Sequence, residues 1–180
     1  MISTSSRAMY LLLAIANVSV CSAQAFDRTA VYEALVAQEE QLGLDKTYYV
    51  RESNAIPKFL LDSSARYGYE LAPGFQFPTE EASHAPEDFG RVSVRLVAES
   101  FLANLWDQSC QEGWEIFHQT YPDAANLTHL SAVAFNDQGD EAAVFIMHGG
   151  GCRRSWFATY HLQMEGRQWV IKGRLTAGAT

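Results

Sequence analysis

The stretch Ser155–Leu175, SWFATYHLQMEGRQWVIKGRL, decides the fold class. Apolar and polar residues alternate along it, which is the pattern of β-strands with one buried face. The alternation predicts two strands, Ser155–Met164 and Gln168–Leu175, joined by a turn at Gly166. Because so short a connection can join only antiparallel neighbours, the two strands form a hairpin. The residues expected on the buried side of the second strand are Trp169, Ile171 and Leu175.

Further strands are predicted upstream of this hairpin. Leu127–Phe135 is one, and Ala142–Met147 is so apolar that it is typical of a central strand covered on both faces. Before them, short helices are expected over Glu99–Leu105 and over Trp114–Gln119, the second starting after Gly113. The predicted fold class is therefore α+β, an antiparallel meander of about four strands with helices packed on one face.

The N-terminal half is patterned less regularly. Asp27–Leu42 has the apolar spacing of a helix, and Thr47–Val50 is β-prone. Alternation over Val92–Leu96 indicates another strand. Residues 55–90 hold four of the five prolines and two acidic pairs, so we expect a long, irregular surface loop with solvated carboxylates.

Residues 1–25 have the features of a secretory signal peptide. An apolar run, Ala8–Val20, follows Arg7, and Ala23-Gln24-Ala25 matches the small-x-small cleavage rule. Lipoprotein processing at Cys21 is an alternative, but it requires a small residue where Val20 stands. A third possibility is an uncleaved anchor, although the run is shorter than the ~20 residues that span a bilayer. We therefore expect export to the periplasm or the cell exterior, with residues 26–180 forming a single domain.

Composition excludes several classes of protein. The chain has 180 residues, of which 48% are hydrophobic and 19% charged, as in ordinary globular domains. Its net charge of −8 argues against a nucleic-acid partner, which would require a basic face.

Two cysteines, Cys110 and Cys152, remain after signal cleavage. In an oxidising compartment an even pair predicts one disulfide. The alternative is two free thiols, in which case Cys152, near His148 and two arginines, could be a reactive nucleophile.

The turn that follows Ala142–Met147 carries the strongest chemical signal. His148-Gly149-Gly150-Gly151 has the form of a lipase oxyanion loop, but the chain contains no G-x-S-x-G nucleophile motif, so we assign no catalytic residue. Successive glycine N–H groups can form an anion nest, and adjacent guanidinium groups would add charge-assisted bonds. The candidate anion-binding residues are Gly149, Gly150, Gly151, Arg153 and Arg154.

The histidines do not have the spacing of a metal site. The five residues are 11 to 34 positions apart, whereas zinc ligands usually lie a few residues apart. His129 and His161 could still converge from neighbouring strands. We expect neither a metal nor a cofactor.

One part of the chain, about residues 101–171, resembles a family of uncharacterised bacterial exported proteins. The motifs that carry the resemblance are Trp114-x-x-Phe117-x-x-x-Tyr121-Pro122, Leu130-Ser131-x-Val133-x-Phe135, Ala142-Ala143-Val144, the glycine-rich turn with Cys152, and Gly166 with Trp169. The resemblance implies a hairpin-containing fold and bacterial export, but no activity. Members often carry two Cys-Gly units at the turn, where this chain has only Cys152.

Three functional classes fit these observations. The first is an exported binding or accessory protein that binds or inhibits a partner protein. The second is a pocket protein for a small anionic ligand, or a weak enzyme, that uses the His148–Arg154 turn as its anion site. The third is a structural envelope protein.

Overall fold

In the part of the chain that the computed structural model describes, seven strands form one mixed sheet. The structure describes residues 27–38, 46–56, 58, 61–62, 72–78 and 82–179. The predicted signal peptide and its cleavage site lie outside them. None of the helices in this described part combines the length and apolar character that crossing a membrane requires.

The elements follow one another along the chain with short connections in the C-terminal half. The strands are β1 (Thr47–Arg51), β2 (Ser93–Val97), β3 (Leu127–Leu130), β4 (Ala134–Phe135), β5 (Glu141–Gly149), β6 (Ser155–Glu165) and β7 (Gln168–Ala179). In the sheet they lie in the order β2-β1-β3-β5-β6-β7, and β4 pairs with β5 outside this path. The helices are α1 (Arg28–Gln38), α2 (Glu99–Trp106), α3 (Cys110–Thr120) and a 3-10 turn, Pro86–Phe89. The α+β class is thus confirmed.

The sheet is mixed, which corrects the prediction of a plain antiparallel meander. Strands β3, β5, β6 and β7 are antiparallel neighbours, but β1 is parallel to both β2 and β3. Parallel neighbours require long crossovers, and α2 and α3 lie in the connection that returns the chain from β2 to β3. Local sequence patterns cannot reveal which distant strands pair, so the parallel half was missed.

Helices cover both faces of the sheet, and the prediction that they pack on one face is wrong. On the first face, here called the α1 face, Val31 and Leu35 of α1 pack with Ile146 and Leu162. On the opposite face, here called the α3 face, Trp114 and Phe117 of α3 join residues of α2, Tyr49 and Leu127. Because neighbouring strand residues point to opposite faces, β1 supplies Tyr49 to one core and Val50 to the other.

Strand β5 lies at the centre, as predicted. Residues 142 to 146 are all buried, because β3 and β4 flank one edge of β5, β6 flanks the other, and packed side chains cover both faces. By contrast, the predicted strand Leu127–Phe135 is interrupted. Its hydroxyl-bearing residue Ser131 bonds to Phe145 through both its backbone N–H and its Oγ, so the chain leaves the regular ladder there.

Helix α3 begins earlier than predicted and contains Gly113. Ser109 and Glu112 form a reciprocal capping box that starts the helix at Cys110. A Cβ at Gly113 would lie 2.8 Å from the backbone oxygen of Leu105, so glycine permits the close approach of α2 to α3. The glycine is a packing residue, not a helix breaker.

Strand β7 contains two register shifts that alternation cannot predict. Ile171 pairs with Leu162 and Gly173 with His161, so Lys172 is an extra residue. The second shift leaves Leu175 between paired neighbours, and 38% of Leu175 is exposed. Its predicted burial is therefore wrong, whereas Trp169 is buried and Ile171 is packed against the α1-face core.

One end of the segment 55–90 is built into the core, so Asp88 is not the solvated carboxylate expected there, whereas Glu87 is exposed as expected. The other acidic pair, Glu80 and Glu81, lies outside the described residues. Asp88 is 5% exposed and forms a 2.8 Å ion pair with Arg28. The buried His84 ring contacts Phe89 and lies 2.8 Å, through Nε2, from the carbonyl oxygen of Leu130. Burial lowers the pKa of His84, so the ring is held uncharged beneath α1.

Candidate functional site

A cavity of about 450 Å³ opens on the α1 face, at the end of the sheet where β1, β3 and β6 begin and β5 ends. We call it the open-end cavity. Tyr48, Thr128, His148 and Trp156 line it from four different strands. These strand residues share the α1 face, which follows from the pairings Thr128 with His148 and His148 with Trp156.

The charged residues that line the cavity are cationic. Lys46 enters from the start of β1 and Arg154 from the loop between β5 and β6. No Asp or Glu is among the described residues that line it, although the chain as a whole carries a net charge of −8. Within the described part of the chain, neither Lys46 nor Arg154 takes part in a salt bridge. Both cations are therefore available to an anion.

A row of polar and aromatic side chains crosses the sheet at the cavity. Thr128 Oγ1 and His148 Nδ1 are 2.9 Å apart, and the His148 ring stacks on Trp156 with a 17° interplanar angle. The Arg174 guanidinium lies 5.6 Å from the centroid of the Trp156 ring. Each residue of the row comes from the next strand in the order β3-β5-β6-β7, so the indole is supported from both sides.

The Thr128–His148 pair has the atoms of a nucleophile and its base, but its burial opposes that role. Thr128 lines the cavity but is only 2% exposed, so its hydroxyl presents almost no surface to a substrate. The second ring nitrogen of His148, Nε2, is also buried. A catalytic base must reach the proton that it removes, so this pair is suited to hold Trp156 in place.

The glycines of the predicted anion nest have structural roles. A Cβ at Gly149 would lie 3.3 Å from the Trp114 ring, and one at Gly150 would lie 2.7 Å from Asn126 Oδ1. The Gly150 N–H donates to the carbonyl oxygen of Arg154 at 2.9 Å and thereby closes the hairpin. That N–H is engaged within the protein and is therefore not available to an anion.

The structure divides the five predicted anion-binding residues. Arg154 lines the open-end cavity, while Arg153 lines neither of the two cavities described here. Gly150 and Gly151 line the other one, a shallow groove of about 600 Å³ between α3 and the β5–β6 loop. Trp114 and His118 stack in this groove with ring centroids 5.7 Å apart.

A disulfide joins Cys110 at the start of α3 to Cys152 in the β5–β6 loop, with the Cα atoms 5.7 Å apart. The pairing is the one predicted from the cysteine count. It rules out the alternative in which Cys152 is a nucleophile, because a sulfur in a disulfide is not a thiolate.

The histidines do not assemble a metal site. His129 on β3 and His161 on β6 are separated by β5, and no group of three potential metal ligands occurs among the described residues. Burial, reinforced by the nearby Arg51 charge, lowers the pKa of His129 to about 3. Arg51 is itself paired with Glu99, at 3.1 Å from Nε to Oε1. His129 is thus a neutral side chain of the α3-face interior.

Sequence reasoning missed most of the cavity residues. Lys46, Tyr48, Asn126, Thr128 and Trp156 were not singled out as a site. Arg174 lies over the Trp156 ring and reaches the α1 face because Lys172 is an extra residue. One signal was present in the sequence. Along β5, alternate residues read Ala142, Val144, Ile146 and then His148, so the apolar face becomes polar at one end.

Comparisons with known proteins add no relative. No family model matches the chain, and no match was found among curated proteins or among solved structures. The resemblance to bacterial exported proteins therefore stays a prediction.

Proposed function

We propose that this protein is an exported binding protein that takes a small organic anion, a carboxylate or phosphate ester, in the open-end cavity. The observation that carries the proposal is that Lys46 and Arg154 both line a cavity whose described lining has no carboxylate. A protein with an excess of acidic residues that keeps such a lining has a local potential opposite to its net charge.

The other cavity residues support an organic anion over a simple inorganic one. Tyr48, His148 and Trp156 add ring surface beside the cations, and Asn126 adds an amide. Small-molecule sites commonly combine apolar or aromatic walls with a few polar groups, in volumes of roughly 300–1,000 Å³. The open-end cavity, at about 450 Å³, has room for a ring together with its anionic group.

Isothermal titration of the purified protein with phenyl phosphate and with benzoate tests the proposal. We expect binding that weakens as salt increases, because the interaction is between charges. Arg154→Gln should weaken it roughly tenfold or more, the loss expected for one charge-assisted bond. Arg153→Gln is the matched control, since Arg153 is exposed in the same loop and does not line the cavity.

Two results would contradict the proposal. One is an absence of heat with both probes and the wild-type protein. The other is an equal loss of affinity in Arg153→Gln and Arg154→Gln, which would indicate a general charge effect without a defined site.

A protein partner is a second candidate function. Trp106 is 42% exposed, although it stands beside Trp114 at the surface of α2 and α3. Exposed tryptophans are typical of protein-binding surfaces. Affinity capture from envelope extract should then recover a protein that Trp106→Ser does not recover, and equal recovery by both would count against this candidate.

A further inference from the structure

The Cys110–Cys152 disulfide lies in the loop that carries Arg154 to the open-end cavity, and Cys152 itself lines the shallow groove beside α3. Cys152 is two residues before Arg154, the guanidinium that lines the cavity, and both cysteines are exposed. The bond spans 42 positions of sequence and joins the β5–β6 loop to the first residue of α3. It is therefore a covalent link between the loop that carries the cation and a helix on the other face.

The loop fits closely against both of its neighbours. Gly149 packs on the Trp114 ring of α3, and Gly150 packs on Asn126, which also lines the cavity. Gly151 has a φ of +155°, at the limit of the region that favours glycine. The backbone conformation of this loop therefore depends on several contacts at once. The disulfide holds Cys152, two residues before Arg154, in place.

We propose that the redox state of this disulfide regulates anion binding in the open-end cavity, an inference that rests on the proposed function. A dithiol reductant breaks the S–S bond. Two electrons and two protons pass to the cysteines, which become thiols, and the reductant becomes a disulfide. Both sulfurs belong to exposed residues, so such a reductant has access to them.

Reduction weakens binding because the loop gains freedom. Once the covalent link is gone, Arg154 has to be ordered when the anion binds, and that ordering opposes the association. The oxidised loop has already lost this freedom, so its Arg154 is preorganised. By linkage, a bound anion must also favour the oxidised form over the reduced one.

The experiment measures the affinity for phenyl phosphate of the oxidised protein, the dithiol-reduced protein and the Cys110→Ser/Cys152→Ser variant. We expect roughly tenfold weaker binding in the last two. In an Arg154→Gln background, reduction should cause little further loss, because the residue through which the bond acts is already absent. Circular dichroism of each sample establishes whether the fold is retained.

The outcomes separate this inference from the proposed function. If the oxidised protein binds and the folded, reduced protein binds equally well, the redox proposal is overturned while the proposed function stands. If reduction unfolds the protein, the disulfide is a structural bond and the redox proposal is again overturned. If even the oxidised protein does not bind either probe, both fail.

Discussion

The two ends of the α1 face are built from the same strands but differ in what covers them. At the end beneath α1, Val144, Ile146 and Leu162 are buried against Val31 and Leu35. At the other end, the same strands β5 and β6 present His148 and Trp156 to the open-end cavity. The strand alternation is continuous through both ends. The difference is that α1 covers one end and the cavity lies over the other. The strand residues on this face are apolar beneath α1 and polar or aromatic at the cavity.

This difference shows how one sheet face can supply both stability and a binding site. Burial of apolar side chains contributes ~25 cal/mol per Å² of surface removed from water, so the covered end holds the fold together. At the open end, Lys46 and Arg154 are exposed, so their charges keep access to water or to a ligand and avoid the cost of burial without partners. Substitutions at the two ends should therefore differ in kind.

The largest effect is expected at the covered end. Ile146 is 1% exposed, and Ile146→Ala should lower the free energy of unfolding by about 2–4 kcal/mol, through lost burial and the cavity left behind. Urea unfolding followed by circular dichroism measures this loss. Ile116→Ala is the control, because Ile116 is 38% exposed and should cost well under half as much. Equal losses would contradict the assignment of Ile146 to a covered core.

Acid provides a second way to probe the interior. Burial lowers the pKa of His129 from 6.5 to about 3. Between these two pH values the histidine is protonated in the unfolded state but neutral in the folded state. The contribution of this neutral histidine is complete above pH 6.5 and is lost as pH falls toward 3. Between pH 7.5 and pH 4 the loss should be about 3 kcal/mol.

The carboxylates also contribute to acid sensitivity, so a variant must isolate the histidine. Burial raises the pKa of Glu99, but its bonds to Arg51 and its backbone bond to Ser53 outweigh burial and lower it overall. Glu99 therefore also loses stabilising charge as pH falls. His129→Phe should keep the contribution of Glu99 to the pH dependence of stability and remove the contribution of His129. The free energy of unfolding of this variant should therefore fall less steeply between pH 7.5 and pH 4. An unchanged slope would show that His129 does not stay neutral in the fold.

A smaller effect is expected where α1 is fastened to the sheet edge. The Gln38 side chain donates to the carbonyl oxygen of Trp169 at 2.6 Å and accepts from the N–H of Ile171 at 3.0 Å. Gln38→Ala removes both bonds and should cost about 1–2 kcal/mol in urea unfolding. Gln119→Ala, an exposed glutamine of α3, should cost almost nothing. Equal losses in the two variants would show that the packing of α1 on the sheet does not depend on the hydrogen bonds of Gln38.

The smallest effect is expected at the second register shift of β7. Leu175 is 38% exposed, so Leu175→Ser should change the free energy of unfolding by less than ~0.5 kcal/mol. Leu162→Ser, at a fully buried position on the adjacent strand, should be severely destabilising. Thermal unfolding of both variants compares them. A large effect at Leu175 would instead support the uninterrupted alternation, in which Leu175 is buried.

The sequence predicted the local elements of the C-terminal half well. The alternation over Ser155–Leu175 gave β6 and β7, and the apolar run gave the central strand β5. The capping pair Ser109 and Glu112 was present but unused, so the start of α3 was placed too late. Where a neighbour far along the chain decides the structure, as for the parallel strand β1, the local pattern carries no information.

The candidate site was predicted only in part, for a similar reason. Arg154 was proposed from its place beside the glycines, and it lines the cavity. Lys46 and Asn126 have no local pattern that marks them, because they reach the same cavity from segments about 80 residues apart. The histidines illustrate the opposite case, in which residues that sequence reasoning placed together are apart in the fold. His129 and His161 are both present in the sequence, yet β5 keeps them apart.

By itself the sequence determined the α+β class and the central strand, and it predicted the disulfide between its last two cysteines. These features depend on residue type and on spacing within a strand or a helix. The tertiary structure alone decided the parallel strands, the helices on both faces and the set of side chains around the open-end cavity. Those depend on contacts between distant segments. The two extra residues of β7 belong to the same class, because each insertion moves the side chains that follow it to the opposite face.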